Sequence, residues 1–176
     1  PDGSTKQFDQ ATSPRAVAAS IGSGLAKAAI GARVDDVLVD LDHTIDDDAA
    51  ISIITAPRKG QMPSADALEL IRHSCAHVMA EAIERVIPGV QLVYGPALDY
   101  GFYYDIAVPE ERPIREDDFE SIEEEMRSII SEDRPFTRYE LDLDEGLDKL
   151  RKEGSKYKID NAERAAAAGS TSLSWY

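Results

Sequence analysis

The hexapeptide RHSCAH, residues 72–77, places two histidines four positions apart with a cysteine between them. Residues at i and i+4 share one face of a helix, so His73 and His77 are predicted to be neighbours, with Cys75 on the opposite side. Two imidazoles at this spacing suit a shared metal ion. They equally suit a pair in which one ring orients a water or substrate and the other transfers a proton.

A zinc site requires more protein ligands than the two histidines provide. The zinc-protease signature His-Glu-x-x-His requires a glutamate directly after the first histidine, and Ser74 stands there instead. The one further histidine, His43, falls in a different predicted domain. A tetrahedral zinc ion would have to recruit carboxylates, water or other protein segments. We therefore expect no metal in this chain alone, with His73 and His77 as the possible ligands.

The helix that carries the histidines is predicted to begin after the N-cap residue Ser64 and to end near Ile87, before a Pro-Gly pair. Its apolar side chains recur at helical spacing on the side away from the histidines. That predicted buried stripe contains Leu68, Ile71, Cys75, Val78, Met79, Ala82 and Val86. We expect Cys75 to be a small core residue and the two rings to project into an open cavity.

Two small domains are predicted, because prolines and glycines interrupt the pattern in APRKGQMPSAD at 56–66. Residues 1–60 form the first domain and residues 64–176 the second. In the first, PDGS is a turn followed by an outgoing strand at Lys6–Phe8. A helix after Ser13 and three further strands, two of them joined at Asp35-Asp36, complete an α+β unit with a mixed sheet.

The second domain continues with a pair of strands in VQLVYGPALDYGFYYDIAV and an acidic segment from Pro109 to Asp133. That segment carries eleven acidic residues against three arginines, more than half of the formal net charge of -15. Its apolar residues recur at helical spacing, so the acids are interpreted as the solvated face of an amphipathic helix rather than as a partner-binding tail. A strand at 136–141, helices near 144–153 and 160–168 and an apolar end SLSWY follow.

The composition restricts the classes of protein to which this chain can belong. Hydrophobic residues make up 43% of the 176 positions, enough for a core in each domain. No run of 18 apolar residues and no signal peptide is present, so we expect a cytoplasmic protein with no membrane contact. The acidic balance is unfavourable for contacts with phosphates overall, although a local RNA-binding surface stays open.

The stretch HSCAHVMAEAIERVIPGVQLVYGPALDYGFYYDI, residues 73–106, resembles the start of the editing domain of threonyl-tRNA synthetases. Alanyl-tRNA synthetases have a similar His-x-x-x-His helix, but the GPALDYGFYYD hairpin and the preceding small domain point to the threonyl family. Residues 1–60 resemble its TGS domain, a β-grasp fold, in PDGSTKQFDQATSP and LAKAAIGARVDD. GSKYKIDNA at 154–162 fits the same editing domain.

The resemblance implies a β-grasp domain followed by an α/β editing domain that hydrolyses serine attached by mistake to tRNA(Thr). It assigns His73, His77 and Lys158 to catalysis, and Tyr104 and Asp105 to the wall that binds the substrate. The implied partners are the acceptor end of tRNA(Thr) carrying serine and the remainder of the synthetase chain, in a homodimer. The full enzyme is expected to use ATP, Mg²⁺ and Zn²⁺, whereas no cofactor is expected in these residues.

In the family, a Cys-x-x-x-His stretch joins the histidine pair, and it does not occur in this sequence. We therefore expect an N-terminal fragment with an incomplete editing domain, unable to aminoacylate and inactive by itself. Two alternatives stay open. Residues 1–60 could act as an RNA- or protein-binding TGS module without catalysis, or the chain could be part of a zinc-dependent hydrolase.

Overall fold

A computed structural model describes residues 3–175. They divide into two compact units, one ending at Arg72 and one beginning at His73. The division falls within a single long helix, α3 (Ala65–Val86). The predicted α+β class is confirmed, since both units combine helices with small sheets. Within residues 3–175, no helix has both the length and the apolar character needed to cross a membrane.

The first unit contains a three-stranded antiparallel sheet in the order β2-β1-β3, with two short helices before it. The hydroxyl of Ser13 accepts a hydrogen bond from the amide of Ala16, which caps the first helix where the sequence predicts it. Asp35 and Asp36 both have positive φ angles, as the tight hairpin turn predicted there requires. The elements are α1 (Pro14–Ile21), α2 (Ser23–Ala28), β1 (Ala29–Val34), β2 (Val37–Val39) and β3 (Ile51–Thr55).

Two expectations for this unit need correction, and one helix was not predicted. Lys6–Phe8 is not a strand, because no sheet of the described residues includes it to supply the hydrogen bonds. Pro1 and Asp2 of the predicted PDGS turn lie outside the described residues. The sheet of the described residues is antiparallel rather than mixed. Helix α2 was not predicted, because Gly22 and Gly24 indicate a helix end rather than a restart.

The second unit places helices around three small antiparallel strand pairs, β4-β7, β5-β6 and β8-β9. The strand pair predicted in the hairpin region is resolved into four short strands, and the apolar C-terminal segment contains a further strand. The elements after α3 are β4 (Gln91–Tyr94), β5 (Ala97–Leu98), β6 (Gly101–Phe102), β7 (Asp105–Ala107), α4 (Glu116–Ser131), β8 (Tyr139–Asp142), α5 (Leu143–Glu153), α6 (Lys156–Ala167) and β9 (Ser172–Trp175).

Two apolar clusters stabilise this unit. In the first, Ile83 of α3 and Ile87, just beyond its end, pack with Ile122 and Ile129 of α4, which confirms that the acidic segment is an amphipathic helix. The second cluster joins α5, α6 and β9 and contains Leu147, Leu150, Ala162 and, at its edge, Leu173 and Trp175. The side-chain amide of Asn161 donates to the carbonyl of Val93 at 2.9 Å and so joins α6 to β4.

The N-terminus of α4 is held by a two-pronged ion pair. Both guanidinium Nη atoms of Arg112 donate to the carboxylate of Asp118, which also accepts from the Arg115 amide at 2.8 Å. The Arg112 guanidinium, together with that amide, lowers the pKa of Asp118 to about 2. The ionised carboxylate is therefore favoured by folding.

Replacing Asp118 with asparagine is expected to destabilise the protein at neutral pH, and the difference from the parent should shrink on acidification. The pKa is lower in the folded state, so the unfolded chain binds the proton more readily as pH falls. The stabilisation is complete above the ordinary pKa of 3.8 and is lost as pH falls towards about 2. Urea unfolding at a series of pH values measures this. Asp117→Asn makes the same change of charge in the same helical turn, and an equal pH-dependence there would contradict the assignment.

Candidate active site

The two histidines of α3 lie against each other as their spacing predicts. The ring centroids of His73 and His77 are 4.7 Å apart and the ring planes are inclined by 21°, a stacked arrangement. His73 is exposed, whereas His77 is half-buried and its Nε2 atom is shielded from solvent. One ring of the pair therefore faces water and the other faces the interior of the unit.

A large cleft opens beside His77. It has a volume of about 1210 Å³ and is lined by His77 from α3, by Tyr104 from the segment between β6 and β7, and by Lys158 from the first turn of α6. These three residues are far apart in sequence and belong to three separate elements. The structure thus brings together three of the five residues that the sequence assigned to a site.

The other two assigned residues do not line this cleft. His73 is outside its lining, and its ring stacks on that of His77. Asp105 is exposed on β7, where it pairs in register with Tyr94 of β4. The resemblance assigns Asp105 to the wall that binds the substrate, and this role stays a prediction.

Burial influences the protonation states of His77 and Tyr104 in the cleft. Removal from water lowers the pKa of His77 below its ordinary value, and the neighbouring His73 lowers it further. Burial, aided by the charge of Glu84, raises the pKa of the Tyr104 phenol. At neutral pH the cleft therefore presents a neutral imidazole, which can accept a proton, and a protonated phenol, which can donate a hydrogen bond.

Tyr104 is held in the cleft by a close approach to Gly95, just beyond the end of β4. A Cβ atom at Gly95 would lie 2.2 Å from Cδ2 of the Tyr104 ring, closer than any real contact allows. The glycine is therefore needed for space, since the ring occupies the position that a side chain would fill.

Sequence reasoning missed several residues that line the cleft. The segment from Asp133 to Thr137, between α4 and β8, lines it, and the ring of Phe136 lies 6.1 Å from that of His77. The pattern predicted a strand from Phe136, but β8 begins at Tyr139. Trp175 and Asn161 also line the cleft. Periodicity gives no sign of contacts between positions this far apart in the chain.

The predicted buried stripe of α3 is only partly correct. Ala82 is buried, and Val78, Met79 and Val86 pack on the first cluster, but Ile71 is 41% exposed. Ala76 and Ala80 are buried as well, so the buried surface extends round the helix towards the histidine side. Cys75 is half-buried rather than fully buried.

Cys75 is expected to react slowly with thiol reagents in the folded protein. Burial raises the pKa of its thiol, and the thiolate is the reactive form. Labelling with a chromogenic disulfide at neutral pH, compared with the urea-unfolded chain, measures the protection. Equal rates in the two states would mean that the side chain is open to solvent.

The described residues do not supply a complete metal site. Across residues 3–175, no three His, Cys, Asp or Glu side chains lie close enough together to hold an ion. The stacked histidines provide two of the four ligands that a tetrahedral zinc ion takes.

Comparison with known proteins finds relatives that match nearly the whole chain. Residues 1–55 match the TGS domain family. A threonine--tRNA ligase from Sphingopyxis alaskensis is 40% identical over 99% of this chain and 26% of its own length. One from Burkholderia ambifaria is 44% identical over 93% of the chain and 24% of its own length. One from Paraburkholderia phytofirmans is 40% identical over 98% of the chain and 26% of its own length.

Over nearly its whole length, the chain is homologous to threonyl-tRNA synthetase. The resemblance seen in the sequence is confirmed, as is the TGS domain, here matched at residues 1–55. The chain spans about a quarter of the length of these threonyl-tRNA synthetases. His73, His77, Tyr104 and Lys158 all lie in the second unit, beyond the TGS match.

Proposed function

We propose that the cleft beside His77 is the editing site of a threonyl-tRNA synthetase and hydrolyses the ester that joins serine to tRNA(Thr). The observation that carries the proposal is the convergence of His77, Tyr104 and Lys158 from three elements on one cleft. The homology to threonine--tRNA ligases supplies the substrate class. Serine differs from threonine by one methyl group, worth only about 1–3 kcal/mol in a binding site, so a second, hydrolytic site is needed for accuracy.

The chemistry of the proposed reaction follows from the protonation of the cleft. The neutral imidazole of His77 removes a proton from a water molecule while the water oxygen forms a bond to the ester carbonyl carbon. The Lys158 ammonium stabilises the negative charge that develops on the carbonyl oxygen, and the Tyr104 hydroxyl donates a hydrogen bond. The carbon–oxygen bond to the ribose then breaks, and the proton passes from His77 to the leaving ribose oxygen. His73 orients His77 through ring stacking.

The remaining assignments concern the whole enzyme. We propose that the intact protein attaches threonine to tRNA(Thr) with ATP and Mg²⁺, holds Zn²⁺ outside these residues, and works as a cytoplasmic homodimer. We also propose that the 176 residues neither aminoacylate nor edit by themselves, because in the family the histidine pair works with a Cys-x-x-x-His stretch. The TGS match keeps RNA or protein binding by residues 1–55 as a second function.

The test uses a chimeric ligase in which this chain replaces its matched segment in the enzyme from Sphingopyxis alaskensis. We expect the chimeric ligase to deacylate seryl-tRNA(Thr) well above the spontaneous rate and to spare threonyl-tRNA(Thr). The 176 residues alone are assayed beside it. Spontaneous deacylation in a chimeric ligase that still charges threonine would reject the editing site and favour the binding module.

A further inference from the structure

Phe136 occupies an unusual position for a large apolar side chain. It lies in the connecting segment 132–138, in which every residue is exposed, and its own exposed fraction is 52%. Its ring nevertheless lines the cleft, 6.1 Å from the ring of His77 and tilted by 51°. Core residues nearby, such as Ile129 at 6%, are almost fully covered. Much of the phenyl surface is therefore available to a molecule in the cleft.

The segment that carries Phe136 is fastened by charges rather than by burial. Arg134 donates to Glu81 of α3 at 2.7 Å and pairs with Glu132 at 2.6 Å. Arg85 of α3 in turn pairs with Glu81, Glu125 and Glu132. Two ion pairs, Arg134 with Glu81 and Arg85 with Glu132, thus tie the segment to the helix that bears the histidines. The phenyl ring is held near His77 without needing its own apolar surface for anchorage.

The electrostatics of the chain limit how an RNA end could be recognised here. The formal net charge is -15, and two of the cationic groups near the cleft, Arg85 and Arg134, are already paired with glutamates. Affinity from phosphate contacts is correspondingly small. Stacking of a base on an aromatic ring does not need a positive surface and contributes a substantial part of single-strand binding.

We propose that Phe136 binds the terminal nucleobase of the RNA 3′ end by stacking, and so positions the ribose ester at His77. This rests on the proposed editing function, since it names how that site holds its substrate. The spacing agrees, because a base and the ester on its own ribose are separated by one sugar, and 6.1 Å between the two protein rings is of that order. Phe136 is a binding and positioning residue, and it takes no part in proton transfer.

The test measures binding of the trinucleotide CCA to the 176-residue chain, without any hydrolysis. The single tryptophan, Trp175, lines the same cleft, so its emission reports occupancy. Contacts between the adenine protons and the Phe136 ring protons are measured by NMR on the parent chain. We expect saturable binding with such contacts. Phe136→Ala and Phe136→Leu should bind at least about fivefold more weakly, the lower end of what losing one stacked base removes, and Phe136→Tyr should bind within about twofold of the parent.

Phe136→Leu keeps apolar bulk without an aromatic face, and circular dichroism verifies that each variant is folded. Parent-like binding by Phe136→Leu would overturn the proposal. The absence of any adenine contact to Phe136 in the parent chain would overturn it without depending on a variant. In the chimeric ligase, Phe136→Leu should raise KM for seryl-tRNA(Thr) more than it lowers kcat. CCA binding through Phe136 in a chimeric ligase that does not edit would reject the editing function alone. Editing with an unchanged KM in Phe136→Leu would reject the stacking role alone.

Discussion

Replacing His77 with alanine in the chimeric ligase is expected to slow deacylation of seryl-tRNA(Thr) by about 10²- to 10⁴-fold, the range that a positioned acid or base supplies. His77 lines the cleft, and its half-buried ring has a pKa below the ordinary value. It is therefore neutral and able to accept a proton at pH 7. The loss is measured as kcat/KM in single-turnover deacylation, with circular dichroism to verify folding.

The pH profile provides a second readout of the same residue. In the parent chimeric ligase, kcat/KM should fall on acidification only below the ordinary pKa of histidine, because burial lowers the pKa of His77. Glu84 and Tyr104 line the cleft with it, and His73 stacks on it. In His77→Ala the acidic limb should disappear along with most of the rate.

Two neighbouring substitutions serve as comparisons. His73→Ala should reduce deacylation to a smaller extent and leave the fold intact, because His73 is exposed and acts through its stacking on His77. Cys75→Ala, on the other side of the helix, should weaken packing more than it affects the rate. Full activity in both histidine variants, or loss of activity in a stably folded Cys75→Ala, would mean that the functional face of α3 is assigned wrongly.

Gly95→Ala is expected to reduce deacylation by about 10²-fold, the cost of misplacing a catalytic geometry by roughly 1 Å. The added methyl group would overlap the Tyr104 ring, so either the ring leaves the cleft or the strand shifts. Overpacking of this kind also costs about 1–3 kcal/mol of stability. Deacylation kinetics and urea unfolding measure the two effects separately.

Gly101→Ala is the matched control for this substitution. Gly101 lies on the same hairpin region, in β6, and a Cβ atom there would meet nothing within 4 Å. It should therefore retain both the rate and the stability. Parent-like deacylation by Gly95→Ala would show that the phenol of Tyr104 does not contribute to the reaction.

The parts of this fold that could be predicted from sequence are those fixed by short-range geometry. The stacking of His73 on His77 follows from a separation of four residues on one helix, and the hairpin at Asp35-Asp36 follows from a tight turn between two apolar runs. Helix α4 was predictable because its apolar residues repeat at helical spacing beneath the acidic face.

The parts that escaped prediction depend on contacts across the chain. Gly95 and Tyr104 meet because β4 and β7 pair with an irregular register between Leu92 and Tyr94, which no local pattern specifies. Phe136 lies near His77 because charged residues on α3 hold its segment. An ion pair between residues far apart in the chain produces no periodic pattern in the sequence. Lys158 and Tyr104 were assigned from the family resemblance, since their sequence surroundings alone indicate an ordinary helix and strand.

The hydrogen bond from Asn161 to the Val93 carbonyl has a consequence for the rotation of α6 about its own axis. Lys158 precedes Asn161 by three positions, so the two side chains leave the helix in nearly the same direction. Any rotation that turned the Lys158 ammonium away from the cleft would also break the bond to β4. The hydrogen bond of the Asn161 amide therefore fixes the rotation of α6 about its axis. The direction of the Lys158 side chain thus depends on a residue that takes no part in the chemistry.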